Sequence, residues 1–304
     1  MTDRPGRHAA PPSGGQGAAE LADGLDLTEV ERVVYTALAE DLGDPPRDVT
    51  SEATIAAEQS DTAELVARAA GVVAGLPVAA QVFAATSGGT AAFDQRVEDG
   101  ARVGRGDVLA VVTGPTRSLL TGERTALNLL CRMSGVATHT RKWADALEGT
   151  KATVLDTRKT TPGLRALEKY AVRVGGGTNK RMGLYDVAMI KDNHKLAAGS
   201  ITAAYDLIRE KFPDVVVQVE VTTLAEAEEA VKAGAEFLLC DNMTPGRLRE
   251  VVDAVGGQVE LEATGNLTLE TVKAYAATGV NYLSVGGLTH SSPILDIAMD
   301  LRPR

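Results

Sequence analysis

Short apolar runs alternate with segments of helical periodicity throughout the second half of the chain. The runs are rich in valine and leucine, as strands buried on both faces of a parallel sheet are, and they read ATVLD, VAMIKD, VVVQVEV, EFLLCD, VELEA and NYLSVGG. Helix-start signals fall between them: Thr223 precedes Glu226 by three residues, the spacing of a capping box, and Thr244-Pro245 places proline after an N-cap residue. This alternation predicts a (β/α) barrel over residues 152–300.

The first half of the chain follows a different pattern. Residues 26–42 have apolar positions at helical spacing, which predicts one helix, and residues 62–112 contain short β-type runs. Residues 118–147 predict a pair of long helices, and residues 1–24, rich in glycine, proline, alanine and charge, predict a disordered tail. We therefore expect a separate N-terminal α/β domain before the barrel.

Charge is distributed unevenly along the chain. The 304 residues carry a formal net charge of -10, whereas residues 151–195 contain ten cations and four anions and so carry a net charge of +6. Three consecutive glycines, Gly175, Gly176 and Gly177, lie within this basic segment, and glycine lets backbone N–H groups approach an anion closely. Because focused positive charge attracts anions, the sequence predicts a small substrate with several negative charges.

The overall composition excludes several classes of protein. An acidic chain is a poor ligand for DNA, RNA or an anionic membrane, and no apolar run approaches the roughly 18 residues of a membrane span. The N-terminus has no apolar segment of the secretory type, and the two cysteines, Cys131 and Cys240, lie far apart without metal-ligand spacing. We expect a cytoplasmic protein with reduced, buried cysteines and without a nucleic-acid or membrane partner.

Polar residues follow every predicted barrel strand, at the end where barrel enzymes gather their chemistry. In chain order they are Thr157, Arg158 and Lys159, then Lys191, Glu220, Asp241, the phrase Thr264-Gly265-Asn266, and Gly286-Gly287. The last pair, with a helix start expected near Ser291-Ser292-Pro293, has the form of a barrel phosphate site.

The predicted rim mixes cations, Arg181 among them, with the carboxylates of Glu220 and Asp241. These carboxylates can hold Mg²⁺, which binds one or two carboxylates together with substrate phosphates, or they can stabilise a developing oxocarbenium ion. Neutralisation of the neighbouring lysines is the structural alternative. The mixture favours a catalytic site over a site that only binds anions.

Longer segments carry a resemblance to a known family. They read Glu123-Arg-Thr-Ala-Leu-Asn128, Asp156-Thr-Arg-Lys-Thr-Thr-Pro-Gly-Leu-Arg165, Glu168-Lys-Tyr-Ala-Val172, Gly175-Gly-Gly-Thr-Asn179 and Ile190-Lys-Asp-Asn-His194. Across residues 27–301 the chain resembles nicotinate-nucleotide pyrophosphorylase (carboxylating), also called quinolinate phosphoribosyltransferase. The resemblance implies an N-terminal α/β open sandwich, which we place at residues 25–130, and a C-terminal seven-stranded, TIM-like α/β barrel at residues 131–304.

The resemblance also implies a reaction and a set of site residues. Quinolinate and phosphoribosyl pyrophosphate would give nicotinate mononucleotide, pyrophosphate and CO₂ with Mg²⁺, in a homodimer whose active sites are shared. Arg124 would reach in from the partner subunit and hold quinolinate together with Arg158, Lys159 and Arg181. The residues implied to surround the ribose, the phosphate and the metal are Lys191, Glu220, Asp241, Thr264, Gly265, Asn266, Gly286 and Gly287. Lys159, Glu220 and Asp241 would be the catalytic residues, with Glu220 and Asp241 at the metal.

Two positions depart from the family pattern. Lys180 stands where the family often has histidine, so the cation is kept but the ring is lost. Thr264 stands where the family often has serine, so the hydroxyl is kept. We assign both residues, together with Thr157, to substrate binding.

Other functions compete with this interpretation. A phosphoribosyltransferase for nicotinate or another pyridine needs fewer cations around Arg158, and a molybdenum-associated relative is not expected to keep the phrase Lys191-Asp-Asn-His194 intact. A non-catalytic anion-binding barrel has no need of Glu220 and Asp241 opposite cations. A nucleic-acid-binding module fits worst, because no aromatic residues are interleaved with the basic ones.

Overall fold

The computed structural model describes residues 20–22 and 24–302. The predicted disordered tail, residues 1–24, lies outside the described residues except for 20–22 and 24. Residues 20–22 form a strand that pairs with Leu25–Asp26, so the prediction of disorder was wrong for them. The elements before the barrel are β1 (Glu20–Ala22), β2 (Leu25–Asp26), α1 (Leu27–Leu42), α2 (Val49–Thr54), β3 (Ser60–Ala67), β4 (Gly71–Val72), α3 (Leu76–Ser87), β5 (Ala92–Gln95), β6 (Arg102–Val103), β7 (Val108–Pro115) and α4 (Thr116–Ala146).

The remaining elements alternate between strand and helix over much of their length. They are β8 (Thr153–Leu155), α5 (Arg165–Val174), β9 (Val187–Ile190), α6 (Asp192–Ala198), α7 (Ile201–Lys211), β10 (Val216–Val221), α8 (Leu224–Ala233), β11 (Phe237–Asp241), α9 (Pro245–Val255), β12 (Glu260–Thr264), α10 (Val272–Ala276), β13 (Tyr282–Ser284), α11 (Gly287–His290) and β14 (Ile297–Leu301). Among the described helices, none combines the length and the apolar character that a membrane span requires.

Helix α1 confirms the first helical prediction. Asp26 is its N-cap and accepts a hydrogen bond from the Thr28 N–H at 2.8 Å, and the helix ends at Gly43 with φ of 73°. Val30, Val34 and Leu38 are buried at helical spacing. They form the apolar face of α1 that packs against the rest of the N-terminal domain.

The N-terminal unit is an open sandwich of one sheet and its covering helices. The antiparallel strands follow the order β14-β3-β7-β5, and α3 and α4 pack on the sheet. Strand β14 comes from the far end of the chain, and it pairs with β3 from Ile297 opposite Ala67 to Leu301 opposite Ala63. The division at residue 131 stays a prediction, but this strand of the segment 131–304 lies in the N-terminal sheet.

One helix covers residues 118–146 of the segment for which a helix pair was predicted, so that prediction was wrong. Helix α4 runs unbroken for 31 residues, although Gly122 and Gly135 lie within it. Gly135 is required for close packing and does not end the helix: a Cβ added there would lie 2.1 Å from the Pro293 carbonyl oxygen. At 1.5 Å per residue α4 is about 46 Å long, long enough to contact both the N-terminal sheet and the barrel.

The C-terminal unit is the expected α/β barrel. Its parallel strands follow the order β8-β13-β12-β11-β10-β9, which are the six apolar runs of the sequence. The free edge of β8 takes one further bridge, because Thr178 donates its N–H to the Val154 carbonyl at 2.9 Å and accepts from the Asp156 N–H at 3.2 Å. Thr178 therefore occupies the position of the seventh strand.

Both predicted N-caps in the barrel are confirmed. Thr223 accepts from the Glu226 N–H at 3.2 Å, and Thr244 accepts from the Arg247 N–H with Pro245 in the first turn. The reciprocal half of the capping box differs from the prediction, because the Glu226 carboxylate accepts from the N–H and the hydroxyl of Thr222.

Candidate active site

The barrel brings most of the predicted site residues to one edge. The carboxyl ends of parallel strands share an edge, so polar groups that follow different strands meet there. The residues at this rim are Thr157, Arg158 and Lys159 after β8, Lys180 and Arg181 after Thr178, Lys191 after β9, Glu220 on β10, Asp241 on β11, Thr264, Gly265 and Asn266 at the end of β12, and Gly286 and Gly287 after β13. Their roles stay predictions.

Hydrogen bonds to the backbone fix the loop that bears Arg158 and Lys159. The Lys159 N–H donates to Thr157 Oγ1 at 3.0 Å, and the Lys159 carbonyl accepts from Thr289 Oγ1 at 2.8 Å. Arg165 donates to the Arg158 carbonyl at 3.3 Å. Within the described residues, the side chains of Arg158 and Lys159 make no hydrogen bond or ion pair of their own. The backbone of both residues is therefore fixed, and their charged groups are free for a ligand.

A buried carboxylate anchors the same loop from behind. Glu168, fully buried on α5, accepts from the Thr161 N–H at 2.9 Å and from Arg132 at 2.8 Å. Arg132 lies on α4 and also donates to the carbonyls of Ser292 and Thr289. Sequence reasoning missed both anchors, although a lone glutamate in a basic segment is a signal for such a partner.

A second buried pair supports the start of the loop. Asp156, with no exposed surface, accepts from Lys169 Nζ at 2.5 Å, from Asn179 Nδ2 at 2.6 Å and from the Lys180 N–H at 2.8 Å. Burial raises the pKa of Asp156 and lowers that of Lys169, and their mutual attraction opposes both shifts. These two charges neutralise each other inside the scaffold, so neither of them is available to a ligand.

Two of the rim cations are neutralised by carboxylates. Lys191 Nζ donates to Glu220 Oε2 at 2.8 Å, and Lys180 Nζ donates to Glu262 Oε1 at 2.6 Å. Glu262 was not among the predicted site residues. Arg181 differs, because it is 8% exposed and donates to the Val187 carbonyl at 2.8 Å. Burial lowers the pKa of Arg181, and the charge of Arg158 lowers it further.

Glu220 and Asp241 suit a metal that shares its ligands with a substrate. They lie on the neighbouring strands β10 and β11, Glu220 8% exposed and Asp241 half-buried with Oδ2 accepting from Asn242 at 2.8 Å. In the part of the chain that the structure describes, no group of three or more His, Cys, Asp or Glu residues could hold a metal. Two carboxylates without a third ligand fit Mg²⁺ held partly by substrate oxygens.

The turns that follow β11 and β12 support each other. Asn242, Gly265 and Asn266 have φ values of 53°, 90° and 52°. Asn266 Nδ2 donates to Asn242 Oδ1 at 3.2 Å, and the Asn242 N–H donates to the Thr264 carbonyl at 2.9 Å. A Cβ on Gly265 would lie 2.2 Å from Asn242 Oδ1, so glycine is required there for both its conformation and its size.

The helix after β13 begins earlier than predicted. Helix α11 starts at Gly287, directly after Gly286, so the prediction of a start near Ser291-Ser292-Pro293 was wrong. Ser292 cannot cap a following helix, because its hydroxyl donates to the Leu288 carbonyl at 2.6 Å and bonds His139 Nδ1 at 2.8 Å. The glycine pair itself lies at the rim, and the place of a Cβ on Gly286 is 3.3 Å from Lys159 Cδ.

Arg124 is not brought to the rim of its own barrel by any described contact. It lies exposed on α4, and its guanidinium makes no hydrogen bond or ion pair within residues 20–22 and 24–302. Its charge acts on the neighbouring Glu123 and on Cys131.

Comparison with known proteins gives concordant matches. The family models for the N-terminal and C-terminal domains of quinolinate phosphoribosyl transferase match residues 48–134 and 136–300. The nicotinate-nucleotide pyrophosphorylase (carboxylating) of Mycobacterium leprae is 48% identical over 259 residues, 84% of this chain and 91% of the relative. Quinolinate phosphoribosyltransferase (decarboxylating) 1b of Nicotiana tabacum is 39% identical, over 90% of this chain and 82% of the relative.

A solved structure agrees with these relatives. The crystal structure of NadC from Streptococcus pyogenes matches with a TM-score of 0.86 and 38% identity, over 90% of this chain and 97% of that chain. The matches cover the sandwich, the barrel and the rim, and they confirm the resemblance carried by the sequence motifs. The chain belongs to the quinolinate phosphoribosyl transferase family.

Proposed function

We propose that this chain transfers the phosphoribosyl group of phosphoribosyl pyrophosphate to quinolinate with loss of CO₂, the step that enters de novo NAD synthesis. Nicotinate mononucleotide and pyrophosphate are the other products. One observation carries the proposal: three cations that make no ion pair with a carboxylate among the described residues, Arg158, Lys159 and Arg181, share a barrel rim with Glu220 and Asp241. A dicarboxylate and a polyphosphate need the cations, and cationic chemistry at a sugar carbon needs the carboxylates.

The acceptor half of the site is built from arginine and lysine. Arginine recognises a planar carboxylate through two parallel hydrogen bonds, whereas lysine acts as a point charge. Arg158, Lys159 and Arg181 hold the two carboxylates of quinolinate, with Thr157 beside them. Arg124 is exposed on α4 and has no described partner, so we assign it to the site of a partner subunit in a homodimer.

The donor half lies at the next strand ends. Its residues are Lys191, Glu220, Asp241, Thr264, Gly265, Asn266, Gly286 and Gly287. Glu220 and Asp241 would hold Mg²⁺, which when bound neutralises charge on the pyrophosphate oxygens. Lys191 is 46% exposed on its side chain and can turn from Glu220 to a substrate phosphate.

The chain's own residues then have simple tasks in the reaction. Departure of pyrophosphate develops positive charge on the ribose C1, which the carboxylates of Glu220 and Asp241 stabilise. The pyridine nitrogen attacks this carbon and becomes cationic. When the bond to CO₂ then breaks, its electron pair stays on the ring carbon beside the cationic nitrogen, and this carbon takes up a proton from water to give the product. The protein needs no covalent nucleophile for these steps. We also assign the enzyme to the cytoplasm.

Labelled CO₂ release tests the proposal. Carboxyl-labelled quinolinate is incubated with the protein, phosphoribosyl pyrophosphate and Mg²⁺, and each component is omitted in turn. We expect release only from the complete mixture. Nucleotide formed from nicotinate without CO₂ release would assign the chain to a different acceptor, and no reaction with either acid would overturn the proposal.

A further inference from the structure

A buried ion pair includes Lys180, the residue that precedes Arg181 of the proposed acceptor site. The side chains of Lys180 and Glu262 are 7% and 0% exposed, and Nζ lies 2.6 Å from Oε1. Ser284, on the neighbouring strand, donates its hydroxyl to the same oxygen. The pair therefore links the loop that follows Thr178 to β12 and, through Ser284, to β13.

Glu262 depends on this arrangement for the compensation of its charge. Its second oxygen, Oε2, is buried and has no hydrogen-bond partner among the described residues. A buried carboxylate without compensation is strongly unfavourable. Lys180 supplies the only described positive charge on Glu262, and Ser284 the only other donor.

The backbone of Lys180 is fixed as firmly as its side chain. Its N–H donates to Asp156 Oδ1 at 2.8 Å, and its carbonyl accepts from Lys169 Nζ at 2.9 Å. The next residue is Arg181, whose guanidinium is bound to the Val187 carbonyl. Movement at Lys180 is consequently transmitted to one of the cations assigned to quinolinate.

We propose that Glu262 and Lys180 form a positioning pair that holds Arg181 and the strand leading to Gly286, and that Lys180 does not touch quinolinate. Acceptor binding then falls to Arg158, Lys159 and Arg181, together with Arg124 supplied by a partner subunit. This inference rests on the proposed function and revises the assignment of Lys180 made from the sequence. Replacement of histidine by lysine at this position is tolerated because Glu262 takes up the added charge.

Two single variants and their combination test the pair. Lys180→Met leaves the carboxylate uncompensated and Glu262→Gln leaves the ammonium uncompensated, so each should lower the melting temperature by roughly 5 °C or more. Each should also lower kcat by about tenfold at a temperature where the protein is folded, because Arg181 is displaced. The double variant carries no charge at either of these two positions, so its melting temperature should recover towards the wild-type value and its quinolinate KM should lie within about threefold of wild type.

The double variant decides between positioning and direct contact. A lysine that binds a quinolinate carboxylate cannot be rescued by a second substitution, so an increase in KM of about tenfold or more in the double variant overturns the inference. Single variants with altered melting temperature but unchanged kcat and KM also overturn it, because the pair would then only stabilise the fold. Lys159→Met is the matched control, since it should impair turnover without lowering the melting temperature.

The failure of this inference is distinct from the failure of the proposed function. A wild-type chain that releases no CO₂ overturns both. A wild-type chain that turns over quinolinate, with a double variant that has lost affinity for it, overturns the positioning role alone. If the single variants do not fold, the uncharged double variant still gives the deciding KM.

Discussion

Lys159 and Lys180 carry the same charge at the same rim, but their environments are opposite. Lys159 is exposed and its ammonium has no partner within the described residues, whereas the side chain of Lys180 is 7% exposed and bound to Glu262. A cation paired with a carboxylate has little charge left for a ligand, and an unpaired one keeps it. The partner of each cation, more than its residue type, determines which of them can hold an anionic substrate.

His139 is a further side chain whose role is defined by its partners. Trp143 Nε1 can only donate, and it donates to His139 Nε2 at 3.2 Å, so His139 Nδ1 carries the proton and donates to Ser292 Oγ at 2.8 Å. Burial lowers the pKa of His139 from its usual 6.5, and the charge of Lys142 lowers it further. The neutral ring thereby links α4 to the loop that follows α11.

This link predicts a pH dependence of stability. Because the folded-state pKa of His139 lies below its unfolded value of 6.5, the stabilisation is complete above pH 6.5 and is lost as pH falls through the folded-state pKa. The urea midpoint of the wild type should therefore decrease more steeply between pH 7 and about pH 5 than that of His139→Gln, which cannot titrate. Parallel curves for the two proteins would show that protonation of this ring does not affect the fold.

The paired turns after β11 and β12 give a prediction about a structural element. Gly265→Ala would place a methyl group 2.2 Å from Asn242 Oδ1 at a φ of 90°, a conformation that costs about 1–3 kcal/mol for other residues. We expect a melting temperature lower by roughly 3–10 °C and a higher KM for phosphoribosyl pyrophosphate, because Asn242 and Asn266 are displaced together.

Gly246→Ala is the matched control for this change. Gly246 lies in the first turn of α9, and a Cβ there meets nothing within 4 Å. Alanine is favoured over glycine in a helix by about 1 kcal/mol, so this variant should be as stable as wild type or slightly more stable. An equal decrease in melting temperature in both variants would mean that the turn at Gly265 does not specifically require glycine.

The same elements explain what could be predicted from the sequence. The six barrel strands were found because each is a run of buried apolar residues, and the rim followed because parallel strands end at one edge. The seventh position was not visible as a run, because Thr178 contributes a single bridge. Helix α4 was predicted as two helices and is one. The close packing at its Gly135 was also not visible in the local pattern, because the contact there is with Pro293, far along the chain.

The ion pairs of the site show the same limit. Lys180, in the loop after Thr178, and Glu262, on β12, are separated by 82 residues and meet only in the folded barrel. The family resemblance placed Lys180 among the substrate-binding residues, and the basic segment 151–195 gave no sign of its partner, because Glu262 lies outside that segment. Local sequence patterns show where the charged residues are. Which of them are neutralised depends on contacts between distant residues in the folded barrel.

At the scale of the whole molecule, the sandwich and the barrel are fastened at several points. Strand β14 follows the barrel and completes the N-terminal sheet beside β3, and α4 packs against both units. Asp99 accepts from the N–H groups of Gly75 and Leu76 at the start of α3 and from the Tyr170 hydroxyl on α5. These contacts hold α4, and with it Arg124, in a fixed position relative to its own barrel. No described contact connects Arg124 to the rim of that barrel.

Mixed dimers test whether Arg124 serves a partner's site. Arg124→Ala and Lys159→Ala chains should each be inactive alone, because every site of either homodimer lacks one cation. In a dimer of one chain of each kind, one barrel keeps Lys159 and receives an intact Arg124. Equal amounts of the two chains, unfolded and refolded together, should therefore regain about a quarter of the wild-type activity, since half of the dimers are mixed and half of their sites are intact.

Arg158→Ala mixed with Lys159→Ala is the control, and it should regain none because both residues belong to the same barrel. Absence of recovery in the first mixture would place Arg124 outside the partner's site and leave acceptor binding to each chain's own rim.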